Sequence, residues 1–330
     1  MAKYNRRSTR GLLDLPSLFD AKEKGPELPV IDLSRMMPHT PSDDFALADE
    51  FRAPLQRLRF MSFGSGSSGN CSYIGTPDSG LIIDAGVDNH RVTDGLQRAG
   101  IDMASIHGIV LTHDHADHVR YAYALLRHNK HMKLYCTLRT LEGILRRHNL
   151  SRRIRDYHSP IFKEHDYKFG DLTLIPFETS HDGTDNAGFC IRFQNTTFVI
   201  VTDTGVITER SAHYLNQANV MVIESNYDDQ MLEKGRYPVY LKSRIRSDKG
   251  HMDNADTARF LAQVYKPSLT HIFLCHLSED NNTPETALAT SMNALRTVGV
   301  NPAPSPATVT PGTVWISALP RHEVTDLYVF

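Results

Sequence analysis

The chain has 330 residues, of which 40% are hydrophobic and 22% charged, and its formal net charge is −2. This composition is typical of a globular protein with enough apolar material for one large core or two smaller ones, and it excludes the strong basic field of an obligate nucleic-acid coat. No stretch approaches the roughly 20 apolar residues that span a bilayer, and the N-terminus lacks the apolar segment of a signal peptide, so we expect a cytoplasmic protein without membrane contact.

Residues 1–57 form the first segment. They have prolines at positions 16, 26, 29, 38, 41 and 54, mixed charge and no sustained period of two or 3.6 residues. We interpret this segment as a flexible N-terminal extension, with short helices near residues 12–19 and 43–51. The remainder, residues 58–330, is predicted to form one domain.

From Leu58 onwards, short apolar runs of strand length follow one another, each bounded by turn-forming or polar residues. These runs are LRFMSF, CSYIG, LIIDAG, GIVLTH, KLYCT, DLTLIPF, GFCIRF, TFVIVTD, VMVIES and HIFLCH. Helix-like segments separate some of them, at residues 92–99, 118–129, 138–149, 254–265 and 284–298. The arrangement predicts mixed β-sheets with helices outside them, a layered α/β protein.

Two parts of this pattern resemble each other. LIIDAGV, GIVLTHDH and KLYCT follow in order, and VIVTDTGV, VMVIESNYD and HIFLCHL follow later in the same way. Both sets place Asp-x-Gly after an apolar strand and polar residues at the end of the next. If the likeness is not a chance one among strands, two similar halves face one another and a site lies in the cleft between them.

The segment HDHADH, from His113 to His118, carries the strongest chemical signal. It follows the apolar strand GIVL, so its side chains lie in a loop at a sheet edge. Alternation lets His113 and His115 point the same way, and Asp117 and His118 then enter the first turn of a helix. Imidazoles and carboxylates are ligands of zinc, manganese or iron. Burying four such groups unpaired would cost several kcal/mol, so the segment predicts a metal site.

This HxHxDH pattern resembles the signature of the metallo-β-lactamase superfamily, and the resemblance extends over about residues 58–330. The other superfamily motifs occur in the same order: Asp84 in LIIDAG, His181 in PFETSHD, Asp203 in VIVTDTG and His276 in IFLCHLS. The resemblance implies a four-layer αββα fold, in which two mixed β-sheets are sandwiched between helices.

The resemblance also implies two divalent metal ions, zinc or manganese, with iron as a further option. Asp84 would brace the histidine loop without binding metal. Two metals about 3.5–4 Å apart share a water, lower its pKa and polarise a phosphoryl or carbonyl oxygen, which favours hydrolysis. The implied ligands are His113, His115 and His181 for one metal and Asp117, His118 and His276 for the other, with Asp203 between them.

Two further stretches bear on the substrate. GSGSSGN, residues 64–70, resembles the first loop of the YycJ-like (WalJ-like) branch, which is associated with DNA exonuclease activity. SRIRSDKGHMDNADTA, residues 243–258, resembles the Gly-His-x-x-Asn segment of that branch and the segment from which ribonuclease Z-like enzymes protonate the leaving group. His251 is therefore the candidate general acid, and Asp117 and His251 are the predicted catalytic residues. A helix-capping surface histidine and a merely flexible Ser/Gly turn are the alternatives.

Basic residues cluster at residues 146–155 and 242–249, near these stretches. Arg and Lys give sequence-independent, salt-sensitive contacts to phosphate, although a charge run is more often a solvated face. Tyr237 and Tyr240 accompany the second cluster, where they can stack bases of a single strand. The predicted substrate phosphate contacts are Ser67, Ser68, Asn70, Arg244 and Arg246.

These motifs favour a metal-dependent hydrolase, a phosphodiesterase or exonuclease that acts on DNA through metal-activated hydroxide. A first alternative is a hydrolase of the same fold for a small-molecule phosphodiester, thioester or lactone. A second is a nucleic-acid-binding or scaffold protein that keeps a metal site only for stability. The inserted domain of β-CASP nucleases is missing, which disfavours RNA processing of that type.

Overall fold

The computed structural model describes residues 57–310 and 312–330. The predicted N-terminal extension, residues 1–57, lies outside the described residues except for its last one, and so do its two predicted short helices. None of the described helices is both long and apolar enough to cross a membrane.

The described residues form strands and helices in close succession. The strands are β1 (Arg59–Gly64), β2 (Cys71–Gly75), β3 (Gly80–Ile83), β4 (Ile106–Val110), β5 (Lys133–Cys136), β6 (His158–Pro160), β7 (Tyr167–Phe169), β8 (Leu172–Glu178), β9 (Ala187–Phe193), β10 (Thr196–Val201), β11 (Val220–Glu224), β12 (His271–Cys275), β13 (Trp315–Ala318) and β14 (Tyr328–Val329). The α-helices are α1 (Asn89–Arg98), α2 (Ala116–Val119), α3 (Ala122–His128), α4 (Leu138–Arg147), α5 (Glu209–Leu215), α6 (Asp229–Lys234), α7 (Val239–Ile245), α8 (Asn254–Val264) and α9 (Pro284–Thr297).

The strands form two mixed sheets. The first has the order β14-β1-β2-β3-β4-β5-β6, and the second the order β13-β12-β11-β10-β9-β8-β7. The two sets of runs that resemble each other in sequence become β3-β4-β5 and β10-β11-β12, and each set consists of parallel neighbours. In each sheet, the carboxyl ends of these strands therefore meet at one edge, where ligands bind in open α/β sheets.

Three apolar layers hold the sheets and helices together. Successive side chains of a strand point to opposite faces, so Leu81 of β3 packs between the sheets, whereas Ile82 packs against α1, α3 and α4 on the other side. On β10, Phe198 enters the layer between the sheets, and Val199 enters the third layer, beneath α5, α8 and α9. The fold is the expected four-layer αββα sandwich.

The predicted continuous helix over residues 118–129 is wrong. The chain forms α2 and α3 with a break at Arg120 and Tyr121. The N–H of Tyr121 donates to the carbonyl oxygen of Ala85, 2.8 Å away, instead of continuing one helix. This bond ties the segment after the histidine loop to the end of β3.

Candidate metal centre

The carboxyl ends of the parallel strands carry the predicted ligands. Asp84 follows β3, the loop from His113 follows β4, Asp203 follows β10, and His276 follows β12. Three of these residues have left-handed backbone, with φ of 59° at Asp84, 48° at Asp203 and 55° at His276. Such backbone costs about 1–3 kcal/mol per non-glycine residue and is concentrated at functional sites.

His113, His115 and His181 form one group, with a ligand atom of each within 4.8 Å of the others. The buried Nε2 of His113 has no hydrogen-bond partner among the described residues. A buried polar nitrogen without a partner is unfavourable unless something binds it. Because three imidazoles converge on this position, a metal cation fits there.

A second group consists of Asp117, His118, Asp203 and His276. The Nε2 atom of His118 lies 3.1 Å from one oxygen of Asp203, and that of His276 lies 3.4 Å from the other. Asp203 also stands 3.8 Å from Nε2 of His181, in the first group. The structure thus brings all seven predicted ligands together, with Asp203 between the two groups.

The protein frame orients the imidazoles of both groups. Asp84 lies 2.8 Å from Nδ1 of His118 and accepts from the backbone N–H of Thr112 at the same distance. Nδ1 of His181 donates to the carbonyl oxygen of Gly250 at 3.0 Å. In each case Nε2 is left facing the centre, which is the usual arrangement of metal-binding histidines.

Charge in the two groups also favours cations. Burial lowers the pKa of His113, His115 and His181, so that their nitrogens keep the lone pair a metal needs. Burial likewise opposes protonation of His276, but Asp203 and the other nearby carboxylates outweigh it and raise the pKa of His276 to about 10. The buried carboxylates therefore require compensating positive charge. Divalent cations can supply that charge, and the histidine and carboxylate set suits zinc or manganese.

Glu224, at the end of β11, is a residue that the sequence interpretation missed. It is fully buried, and its Oε1 accepts from Nδ1 of His251 at 2.7 Å and lies 3.1 Å from Nδ1 of His276. Its Oε2 accepts from the backbone N–H groups of Thr204 and Met252. Burial alone would raise the pKa of Glu224, but the two histidines keep it below its usual value. One carboxylate thus orients both a predicted ligand and the candidate general acid. The position of Glu224 between the strands of Asp203 and His276 is the signal that could have revealed it.

Asp114 is a second missed residue. It alternates with His113 and His115 in the loop, and its fully buried carboxylate accepts from the backbone N–H and the hydroxyl of Thr184, at 2.8 and 2.6 Å. These bonds join the loop after β4 to the loop that carries His181. Asp114 therefore holds two ligand segments in register.

An opening of about 230 Å³ leads to the centre. Two of the five predicted phosphate contacts, Ser67 and Arg244, line it, and so does His251. Its walls are formed by Ser67, His115, Asp117, Asp203, Asn226, Tyr237, Leu241, Arg244, Ile245, His251, His276 and Ser278.

The other three predicted phosphate contacts are not among the residues that line this opening. The buried amide of Asn70 contacts Asp117 and His118, at 3.2 and 3.0 Å. Ser68 is exposed. Arg246 pairs with Asp229 and Glu233 of α6, at 2.7 and 2.9 Å, so a phosphate would have to displace both partners.

This fold and this cluster define a class of protein. The family model "Beta-lactamase superfamily domain" matches residues 80–273, so the chain belongs to the beta-lactamase superfamily. The metallo-β-lactamase fold protein YhfI from Bacillus subtilis has the same architecture, with a TM-score of 0.55 at 15% identity over 83% of this chain and all of that one. The chain is a metal-dependent hydrolase of this fold.

Within the superfamily, two curated relatives place the chain more narrowly. Exodeoxyribonuclease YycJ of Bacillus anthracis is 35% identical over 70% of this chain and 86% of that protein. Exodeoxyribonuclease WalJ of Streptococcus pneumoniae is 32% identical over 72% of this chain and 88% of that protein. The chain is a member of the YycJ/WalJ family.

Proposed function

We propose that the protein is a DNA exonuclease that cleaves phosphodiester bonds at the opening beside His251. The observation that carries the proposal is the convergence of seven metal-ligand side chains beside the His251–Glu224 pair. His251 and four of the seven ligands, His115, Asp117, Asp203 and His276, line one opening. The names of the curated relatives, both exodeoxyribonucleases, support DNA as the substrate class.

In this proposal, two divalent metal ions are held by the two groups defined above. One would be bound by His113, His115 and His181, and the other by Asp117, His118 and His276, with Asp203 shared. When bound, such ions act as Lewis acids that activate water and stabilise charge on phosphoryl oxygens. Zinc and manganese both suit these ligands.

His251 supplies the proton for the departing oxygen. Nδ1 of His251 donates a hydrogen bond to Glu224 at 2.7 Å, because an ionised carboxylate can only accept hydrogen bonds. The imidazole is thereby fixed in orientation, and its other nitrogen is the one available for exchange with substrate. His251 lines the opening, and its ring lies 5.1 Å from those of His181 and His276. It therefore stands beside the reacting phosphate, where a general acid must be.

Arg244 and Ser67 position the phosphate. Arg244 lines the opening and pairs with Asp182 at 2.7 Å. Asp182 itself lies 3.4 Å from Nε2 of both His115 and His181. A phosphate that enters the opening offers Arg244 an alternative partner, and the planar guanidinium suits phosphate oxygens.

The test is degradation of 5′- and 3′-labelled single- and double-stranded DNA with manganese or zinc, and with chelator. We expect stepwise shortening from an end with metal, and no cleavage with chelator or with His115→Ala. The exposed His128 offers a matched control, because its Nδ1 pairs with the carbonyl oxygen of Ala124 in its own helix. His128→Ala should retain full activity. Intact DNA with a metal-loaded, folded wild-type protein would contradict the proposal.

A second candidate is a hydrolase of small phosphodiesters, which is favoured by the size of the opening. At about 230 Å³, it is smaller than the roughly 300–1,000 Å³ of drug-sized ligand sites. Turnover of bis(p-nitrophenyl) phosphate without any cleavage of DNA would select this candidate. Full metal occupancy without turnover of either substrate would instead indicate a metal site that serves stability only.

A further inference from the structure

Helices α6 and α7 form a small cap over one side of the opening. The cap has its own apolar cluster, in which Tyr227, Leu232 and Ile245 are buried and Tyr237 and Leu241 pack against them. On α7, Leu241, Arg244 and Ile245 line the opening. These three residues of α7 therefore belong to the site described above. Val239 and Tyr240, which form the outer end of the helix, do not line the opening.

That outer end carries an unusual exposed surface. Val239 is 80% exposed and Tyr240 75% exposed, the two highest values among the large hydrophobic residues of the described chain. Tyr240 precedes Arg244 by four residues on the same helix. Residues four apart lie on one helix face about 5.4 Å apart along the axis. An exposed aromatic ring and a guanidinium thus form one stripe that leads out of the opening.

Charge in the cap is opposite to that of the molecule. Residues 229–249, which comprise the two cap helices and the four residues after α7, contain six lysines and arginines and three acidic residues, a formal charge of +3, whereas the whole chain carries −2. A polyanion is therefore attracted to this segment rather than to the surface in general. A neutral or basic protein partner would gain nothing from this charge.

We infer that the α7 stripe binds the single-stranded part of the DNA substrate, with Tyr240 stacking on a base and Arg244 contacting a neighbouring phosphate. The inference rests on the proposed function and adds how the site holds an unpaired strand. Every base has a π-face, so stacking of this kind is tolerant of sequence. Bases inside a duplex are covered on both faces by their neighbours, so the stripe engages a strand at its end, where a base face is free.

The test is binding of the metal-loaded full chain to fluorescein-labelled oligothymidylate with phosphorothioate linkages, compared with an abasic strand of equal length and charge. Alanine substitution under a stacked base costs about 1–3 kcal/mol, equivalent to about 5- to 150-fold in Kd. We expect Tyr240→Ala to weaken oligothymidylate binding within this range and to leave abasic binding unchanged. Tyr240→Phe, which keeps the ring, should bind like wild type.

Phe162→Ala is the matched control, since Phe162 is 62% exposed and does not line the opening. The inference would be overturned if Tyr240→Ala lost affinity equally for oligothymidylate and for the abasic strand. It would also be overturned if Tyr240→Ala lost no more affinity for oligothymidylate than Phe162→Ala does. The same would follow if wild type failed to prefer oligothymidylate to the abasic strand. If wild type prefers oligothymidylate but cleaves no DNA, the exonuclease proposal fails and the stripe stands. If DNA is cleaved but Tyr240→Ala loses no more oligothymidylate affinity than Phe162→Ala, the exonuclease proposal stands and the stripe inference fails.

Discussion

Replacing Glu224 by Gln tests how the centre orients its histidines. The substitution keeps the shape of the side chain but turns one acceptor oxygen into an NH₂ donor. The oxygen of Gln can keep the bonds from the N–H groups of Thr204 and Met252, at 2.7 and 3.3 Å. The NH₂ group then faces Nδ1 of His251 and His276, where Oε1 stood at 2.7 and 3.1 Å. Both imidazoles must accept there, which moves their protons to Nε2.

A proton on Nε2 of His276 blocks that nitrogen as a metal ligand. Substituting such outer partners costs about 10–100-fold in metal affinity or activity, which corresponds to about 1.4–2.8 kcal/mol. We therefore expect Glu224→Gln to lower zinc affinity, measured by titration calorimetry, and turnover of bis(p-nitrophenyl) phosphate by factors in this range. Glu279→Gln is the control, because Glu279 is 70% exposed and lies 3.9 Å from Arg321. If Glu224→Gln matched this control within twofold in both measurements, the orienting role of Glu224 would be refuted.

Two further substitutions probe the frame around the ligands. Asp84→Asn should weaken zinc binding about 10–100-fold, because it removes the carboxylate that lies 2.8 Å from Nδ1 of His118; calorimetry that shows unchanged affinity would contradict this. Gly86→Ala should lower both Tm and metal affinity, because the added Cβ would lie 1.5 Å from the carbonyl oxygen of Asp117. Gly299→Ala is the control, because Gly299 has a φ of +80° and an added Cβ there would meet nothing within 4 Å. It should cost about 1 kcal/mol of stability and leave metal affinity unchanged. An equal loss of metal affinity in both variants would contradict the steric argument.

Much of the site could be predicted because its chemistry is concentrated at strand ends. The loop from His113 to His118 combines an apolar strand with four ligand groups in six residues, a density that core packing does not explain. Asp203 and His276 each follow an apolar run, and parallel pairing of β10, β11 and β12 brings the ends of those runs to one edge. The spacing of apolar residues likewise predicted the layered fold, because it shows which faces of the strands and helices are apolar.

Other features depend on partners that are distant in sequence. Glu224 ends the apolar run between those of Asp203 and His276, but its contact with His251, 27 positions later, follows only from the fold. Arg246 belongs to a basic run, but its partners on α6 lie 13 and 17 positions earlier. The break between α2 and α3 depends on Ala85, which accepts from Tyr121 across the loop. The strands β6, β7 and β14 have only three, three and two residues, too few to show a period.

The metal content of the purified protein decides whether the two ligand groups bind a pair of metal ions. Elemental analysis after zinc or manganese loading and removal of free ions should give two metal ions per chain. With Asp203→Ala, which removes the carboxylate between the two groups, the content should fall, while His128→Ala should retain both ions. A folded wild-type protein that retains no divalent metal, or an Asp203→Ala variant with the wild-type content, would contradict the account.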